Sequence, residues 1–111
     1  MEFVRGARTL KAEVNSRIAA GTTLPLKDAK HVLNQMLNGL EAAHLQQIIH
    51  RDIKPENMMI GYNADKNVIY LIDFGLASPY IKSNKHINFS KNSTQVGTFK
   101  FASLASNYKW E

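Results

Sequence analysis

Between Ala29 and Ala43 the apolar residues Val32, Leu33, Met36, Leu37, Leu40 and Ala43 form one stripe about four turns long. Their spacing follows a 3.6-residue period and predicts a long amphipathic helix whose stripe is core. Pro25 stands near its start, where a missing N–H costs least, and Gly39 is a mild blemish inside it. Upstream, Leu10, Val14 and Ile18 recur every four residues behind Thr9, a residue type suited to an N-cap, so a shorter helix ending near Gly21 is expected. Downstream, Met58-Met59-Ile60-Gly61 and Val68-Ile69-Tyr70-Leu71-Ile72 predict two short strands, with the polar stretch Tyr62 to Asn67 turning between them. That hairpin would carry Asp73 directly off its second strand. The pattern is α+β, mainly helical with a small β-hairpin.

Chemistry concentrates in His50-Arg51-Asp52-Ile53-Lys54-Pro55-Glu56-Asn57 and in Asp73-Phe74-Gly75. The two stretches supply a carboxylate able to act as a base, a lysine, an amide oxygen and a second carboxylate. Such a set can take a hydroxyl proton, neutralise a phosphoryl group and hold Mg²⁺, whose preferred ligands are hard oxygens. Taken singly, each residue is more often solvated surface in a basic chain. As an ordered set they resemble the signatures of the protein kinase superfamily.

The resemblance implies a protein-kinase-like fold, present as a partial, mainly helical C-terminal lobe, and it implies roles. Asp52 would orient and deprotonate the substrate hydroxyl, Lys54 would touch the transferred phosphate, and Asn57 and Asp73 would hold the metal ions that bridge the ATP phosphates. Lys54 two residues after Asp52 looks like a serine/threonine kinase, as does Thr98, which resembles the threonine whose hydroxyl bridges the catalytic Asp and Lys. His50 would be structural, its ring packed behind the loop. Arg51 resembles the arginine that pairs with an anion on the activation segment, and Ser90, Ser93 and Thr94 are polar loop residues open to phosphorylation. Met1-Glu2-Phe3-Val4 resembles a kinase hinge: Met1 would be the gatekeeper, main-chain groups near Glu2 and Val4 would bond the adenine edge, and Met59 would lie under the ring. No Gly-rich loop, strand lysine or partner glutamate occurs in the 111 residues. The expectation is one partial domain over residues 1–111, from hinge to activation segment, poorly active alone because the phosphate clamp is missing.

Within the superfamily, Ile72-Asp73-Phe74-Gly75-Leu76-Ala77, the Lys85 to Ile87 segment and Gly97-Thr98-Phe99-Lys100-Phe101-Ala102-Ser103 resemble the casein kinase I family. That family uses Ser-Ile-Asn where most kinases have Ala-Pro-Glu. Ser103-Leu104-Ala105 departs from it at Ala105, which removes a polar anchor. The Gly-Leu-Glu-Ala-Ala-His helix end resembles a more generic serine/threonine kinase.

Charge adds a substrate class. The chain has 14 Lys and Arg against 9 Asp and Glu, net +5, and no acidic residue lies between Phe74 and Trp110. That stretch carries Lys82, Lys85, Lys91, Lys100 and Lys109. It reads as a solvated loop or as an anion-binding surface favouring acidic or already phosphorylated protein substrates, with Lys100 matching a basic position that faces a phosphate in casein-kinase-I-like enzymes. Nucleic acid is not the expected partner, because aromatic residues are not interleaved with the lysines in a stacking pattern.

At 111 residues one domain at most is expected, burying about 65% of its unfolded surface. Helix faces without partners would leave apolar patches exposed. Without cysteine there are no disulfides or thiolate zinc sites, and His31, His44, His50 and His86 do not form a metal spacing. No membrane association is expected, since no apolar run reaches spanning length and a signal peptide's apolar core is not seen; an intracellular location is the default expectation.

Overall fold

In a computed structural model, the structure describes residues 7–62, 66–88 and 96–107. The chain divides into two compact units, one of Met1–Glu41 with Pro55–Ile72 and one of Ala42–Lys54 with Asp73–Glu111.

The first unit contains β1 (Arg8–Thr9), α1 (Leu10–Ala19), most of α2 (Leu26–Leu45), a 3₁₀ turn at Pro55–Asn57, β3 (Met58–Ile60) and β4 (Ile69–Leu71). The Thr9 hydroxyl accepts from the Ala12 N–H at 3.0 Å, so α1 begins where its cap dictates. It ends before Gly21, whose φ of +76° suits a residue without Cβ. Leu10 and Met58 are the buried apolar residues among those described. Buried beside them, the Glu13 carboxylate is held by Arg8 and, at 2.7 Å, by Arg17 one turn on. Lys11 pairs with Glu56 at 2.8 Å and ties α1 to the 3₁₀ turn.

α2 extends the predicted helix at both ends. Pro25 stands just outside it, its carbonyl accepting from the Ala29 N–H at 2.9 Å. The stripe expected to be core is not buried: Val32, Met36, Leu40 and Ala43 are half-buried, while Leu33 and Leu37 are each 51% exposed. An apolar helix stripe is buried only where another element packs on it, and among the described residues Leu33 and Leu37 lack such cover. At Gly39 an added Cβ would meet the Leu71 side chain of β4 at 3.7 Å.

The two predicted strands pair antiparallel, Met58 opposite Leu71 and Ile60 opposite Ile69. The Gly61 N–H to Val68 carbonyl and Ile72 N–H to Asn57 carbonyl bonds, both 2.9 Å, prolong the ladder. The expected hairpin is the larger part of a three-stranded sheet in the order β1-β3-β4, because Arg8 and Thr9 pair with Ile60 and Met59.

The second unit is built on short ladders. β2 (Ile48–Ile49) pairs with β5 (Ser78–Pro79), and β6 (Ile81–Lys82) with β7 (Lys85–His86). A 3₁₀ turn at Phe99–Phe101 and α3 (Leu104–Asn107) follow. Gln47, at φ +62°, turns the chain out of α2, and its carbonyl accepts from the Tyr80 N–H at 3.1 Å. The Tyr80 hydroxyl donates to the His44 carbonyl at 2.9 Å. Among the described residues no helix is long and apolar enough to cross a membrane.

Candidate active site

The loop after β2 presents Asp52 by fixing its backbone from both sides. His50, 2% exposed, accepts the Asp52 N–H on Nδ1 at 3.1 Å. Its ring meets Phe74 edge-on at 4.7 Å between centroids. Arg51 adopts φ +69°, a left-handed conformation uncommon outside glycine, and its Nε donates to the Leu76 carbonyl at 2.7 Å. The loop is thereby tied to the stretch that follows Asp73.

Asp52 is 8% exposed, and a carboxylate so buried requires hydrogen-bond donors. Thr98 supplies two: its N–H lies 3.1 Å and its hydroxyl 2.8 Å from Oδ1. The same hydroxyl accepts from Lys54 Nζ at 2.6 Å, and that ammonium stands 3.4 Å from Asp52 Oδ2. Asp52, Lys54 and Thr98 therefore form a closed group in which one hydroxyl joins carboxylate and ammonium. A cavity of about 310 Å³ adjoins it, lined by Ile49, Ile53, Phe101, Ser103 and Ser106 besides Asp52 and Thr98.

Gly97 makes this closure sterically feasible, and the sequence reading did not single it out. Its φ is +93°, and a Cβ there would sit 2.4 Å from the Arg51 carbonyl oxygen. No L side chain fits, so the backbone can bring Thr98 onto Asp52 only with glycine before it. The available signal was a glycine directly preceding a candidate site residue.

The other sequence-predicted residues are distributed as follows. Asp73 is exposed at φ +59°, with Oδ1 accepting from the Gly75 N–H at 3.2 Å. Asn57, 4% exposed, ends the 3₁₀ turn of the first unit, and Met59 is half-buried in β3. Lys100 is exposed, its ammonium 5.6 Å from the Phe101 ring centroid, within cation–π range. Met1, Glu2 and Val4 lie outside the described residues, as do Ser90, Ser93 and Thr94. Among the described residues no three or more His, Asp or Glu side chains gather as a metal cage. Amide and carboxylate oxygens such as those of Asn57 and Asp73 suit Mg²⁺, which takes few protein ligands and shares the rest with phosphate and water.

A family model described as the protein kinase domain matches residues 1–104.

Proposed function

The chain belongs to the protein kinase domain family, and we propose that it carries the phosphoryl-transfer centre of a serine/threonine protein kinase of casein-kinase-I-like type. The observation that carries this reading is the bond network from Lys54 through the Thr98 hydroxyl to Asp52. In it Asp52 is the base that accepts the proton of a substrate Ser or Thr hydroxyl, and Thr98 holds the Oδ1 side of that carboxylate in place. Lys54 neutralises charge on the moving phosphoryl oxygens, where a positive group counts most. By the family resemblance Asn57 and Asp73 would be the residues that hold Mg²⁺, which would supply positive charge at the ATP phosphates. By the same resemblance Met1 would be the gatekeeper, main-chain groups near Glu2 and Val4 would bond the adenine edge, and Met59 would contact the ring.

The test is transfer of the ATP γ-phosphate to peptides presenting Ser, Thr or Tyr, assayed in the longest natural polypeptide containing these residues. Transfer to Ser and Thr peptides is expected, and Asp52→Asn should lower it by about 10²-fold or more. Equal transfer to Tyr, or an unaffected Asp52→Asn variant, overturns the reading. The 111 residues alone contain no Gly-x-Gly phosphate loop, so by themselves they should be slower by about 10²-fold at least. That same feature favours a second reading, a non-catalytic binding module; nucleotide affinity without turnover would select it.

Substrate preference follows from charge. The acid-free stretch from Phe74 to Trp110, with Lys100 exposed, favours acidic or pre-phosphorylated protein substrates.

A further inference from the structure

α1, the start of α2 and the connection between β3 and β4 border a cavity of about 230 Å³ whose lining belongs entirely to the first unit. It shares no residue with the Asp52 group or with the cavity beside that group. Part of the lining is apolar: Leu24, Val32, Ile60 and Ile69 border the space, and each is only half-buried. His31 lies at the same cavity, and its Nε2–H donates to the Asn67 carbonyl at 2.5 Å. That bond fastens the turn carrying Lys66 to α2.

The charged part of the lining is unevenly satisfied. The buried Glu13 carboxylate is shared by Arg8 and Arg17, so two guanidinium groups converge on one acceptor. Arg17 uses its Nε–H for that pair, and a guanidinium has further N–H donors beside it. Asp28 and Lys66 border the same space, yet neither pairs with the other or with any other described residue. One cavity thus brings together an open carboxylate, an open ammonium, spare guanidinium donors and an apolar wall.

We propose that this cavity binds a free α-amino acid with a short apolar side chain. A simple carboxylate would suit Lys66 and Arg17 but bring a like charge towards Asp28, and a simple amine would do the reverse. An α-amino acid carries both charges on one carbon, so its carboxylate meets Lys66 and the outer Arg17 N–H groups while its ammonium meets Asp28. Its side chain then covers Leu24, Val32, Ile60 and Ile69 and takes apolar surface out of water. Size agrees, since pockets for drug-sized ligands begin at roughly 300 Å³ and this one is smaller. An internal residue of a peptide has neither main-chain charge and would leave Asp28 and Lys66 as they are. The inference is independent of the phosphoryl-transfer reading, because no residue of that centre takes part.

The experiment is a titration of the whole chain with L-leucine, followed by amide NMR shifts. Isocaproate, which lacks the ammonium, isoamylamine, which lacks the carboxylate, and glycine, which lacks the side chain, are titrated beside it. L-leucine is expected to bind about tenfold or more tightly than each of the three, with shifts centred on Leu24, Val32, Ile60 and Ile69. Asp28→Asn should bring leucine down to the level of isocaproate. Lys66→Gln should weaken leucine severalfold and leave isoamylamine no weaker. Asp28 and Lys66 are both exposed, so neither change threatens the fold. Equal binding of leucine and any of its three partial analogues, a preference for leucine over isocaproate that survives Asp28→Asn, or shifts centred elsewhere in the chain overturns the proposal.

Discussion

Thr98 is the residue on which the site turns, since its hydroxyl both donates to Asp52 Oδ1 and accepts from Lys54. Removing it leaves a buried carboxylate one donor short and Lys54 without its hydroxyl acceptor, a loss of the order of 1–3 kcal/mol for an unsatisfied buried group. Thr98→Ala should therefore lower kcat about 10- to 100-fold with little change in KM, while Thr98→Ser, which keeps the hydroxyl, should stay near the parent rate. Steady-state kinetics on both variants decides it, and equal losses in the two would assign the effect to the methyl group. Gly97 acts one step back. Gly97→Ala would drive a Cβ to 2.4 Å from the Arg51 carbonyl oxygen, which only backbone movement relieves. A loss of about 1–3 kcal/mol in thermal denaturation is expected, together with disappearance of the Thr98 amide's hydrogen-bonded NMR signature. Asp52, Lys54 and Thr98 stood out in the sequence as residue types in an ordered motif, and the structure brings the three together. Gly97 was less legible, because its requirement is a contact with Arg51, 46 positions away in a chain whose folding alone brings them together.

The helices were legible for a different reason. α1 and α2 run for 10 and 20 residues, long enough for a 3.6-residue period and a Thr9 cap to stand above chance. β3 and β4 were legible through continuous apolar runs. β1, β2, β5, β6 and β7 contain two residues each, and two residues have no period, so their pairing is set by tertiary contacts or, for β6 with β7, by the Ser83-Asn84 turn. That Lys82 of β6 faces Lys85 of β7 emerges only with the register. Two substitutions test how far local propensity still governs the longer elements. Gly39→Ala places a methyl at ordinary contact distance, 3.7 Å from Leu71 Cβ, and should stabilise the chain by about 0.5–1 kcal/mol by removing a flexible residue from a helix interior. Thr9→Ala should cost about 1 kcal/mol by orphaning the Ala12 N–H. Chemical denaturation with unchanged slope would show that both act on the folded helix.

Across the described residues, buried apolar side chains are few and exposed ones many. Leu10 and Met58 are buried, whereas Ile18, Leu26, Leu33, Leu37, Leu45, Phe99 and Leu104 are all at least half exposed. Polar groups occupy much of the interior instead: Glu13, His50, Asp52 and Asn57 are buried. A chain folded this way relies on hydrogen-bonded loops around its site more than on a large core, and apolar surface remains open to a hydrophobic probe. Two explanations of the α2 stripe then make different forecasts. Were Leu33 and Leu37 core, replacing either with a short or polar residue would cost about 2–5 kcal/mol. At 51% exposure each, the double variant Leu33→Gln with Leu37→Gln should lose no more than about 1 kcal/mol, the scale of surface substitutions. It should also bind markedly less of a dye such as anilinonaphthalene sulfonate than the parent chain. Dye binding paired with a melt separates the cases: reduced fluorescence at unchanged midpoint marks an open face. A large fall in midpoint would show that the stripe is buried in solution.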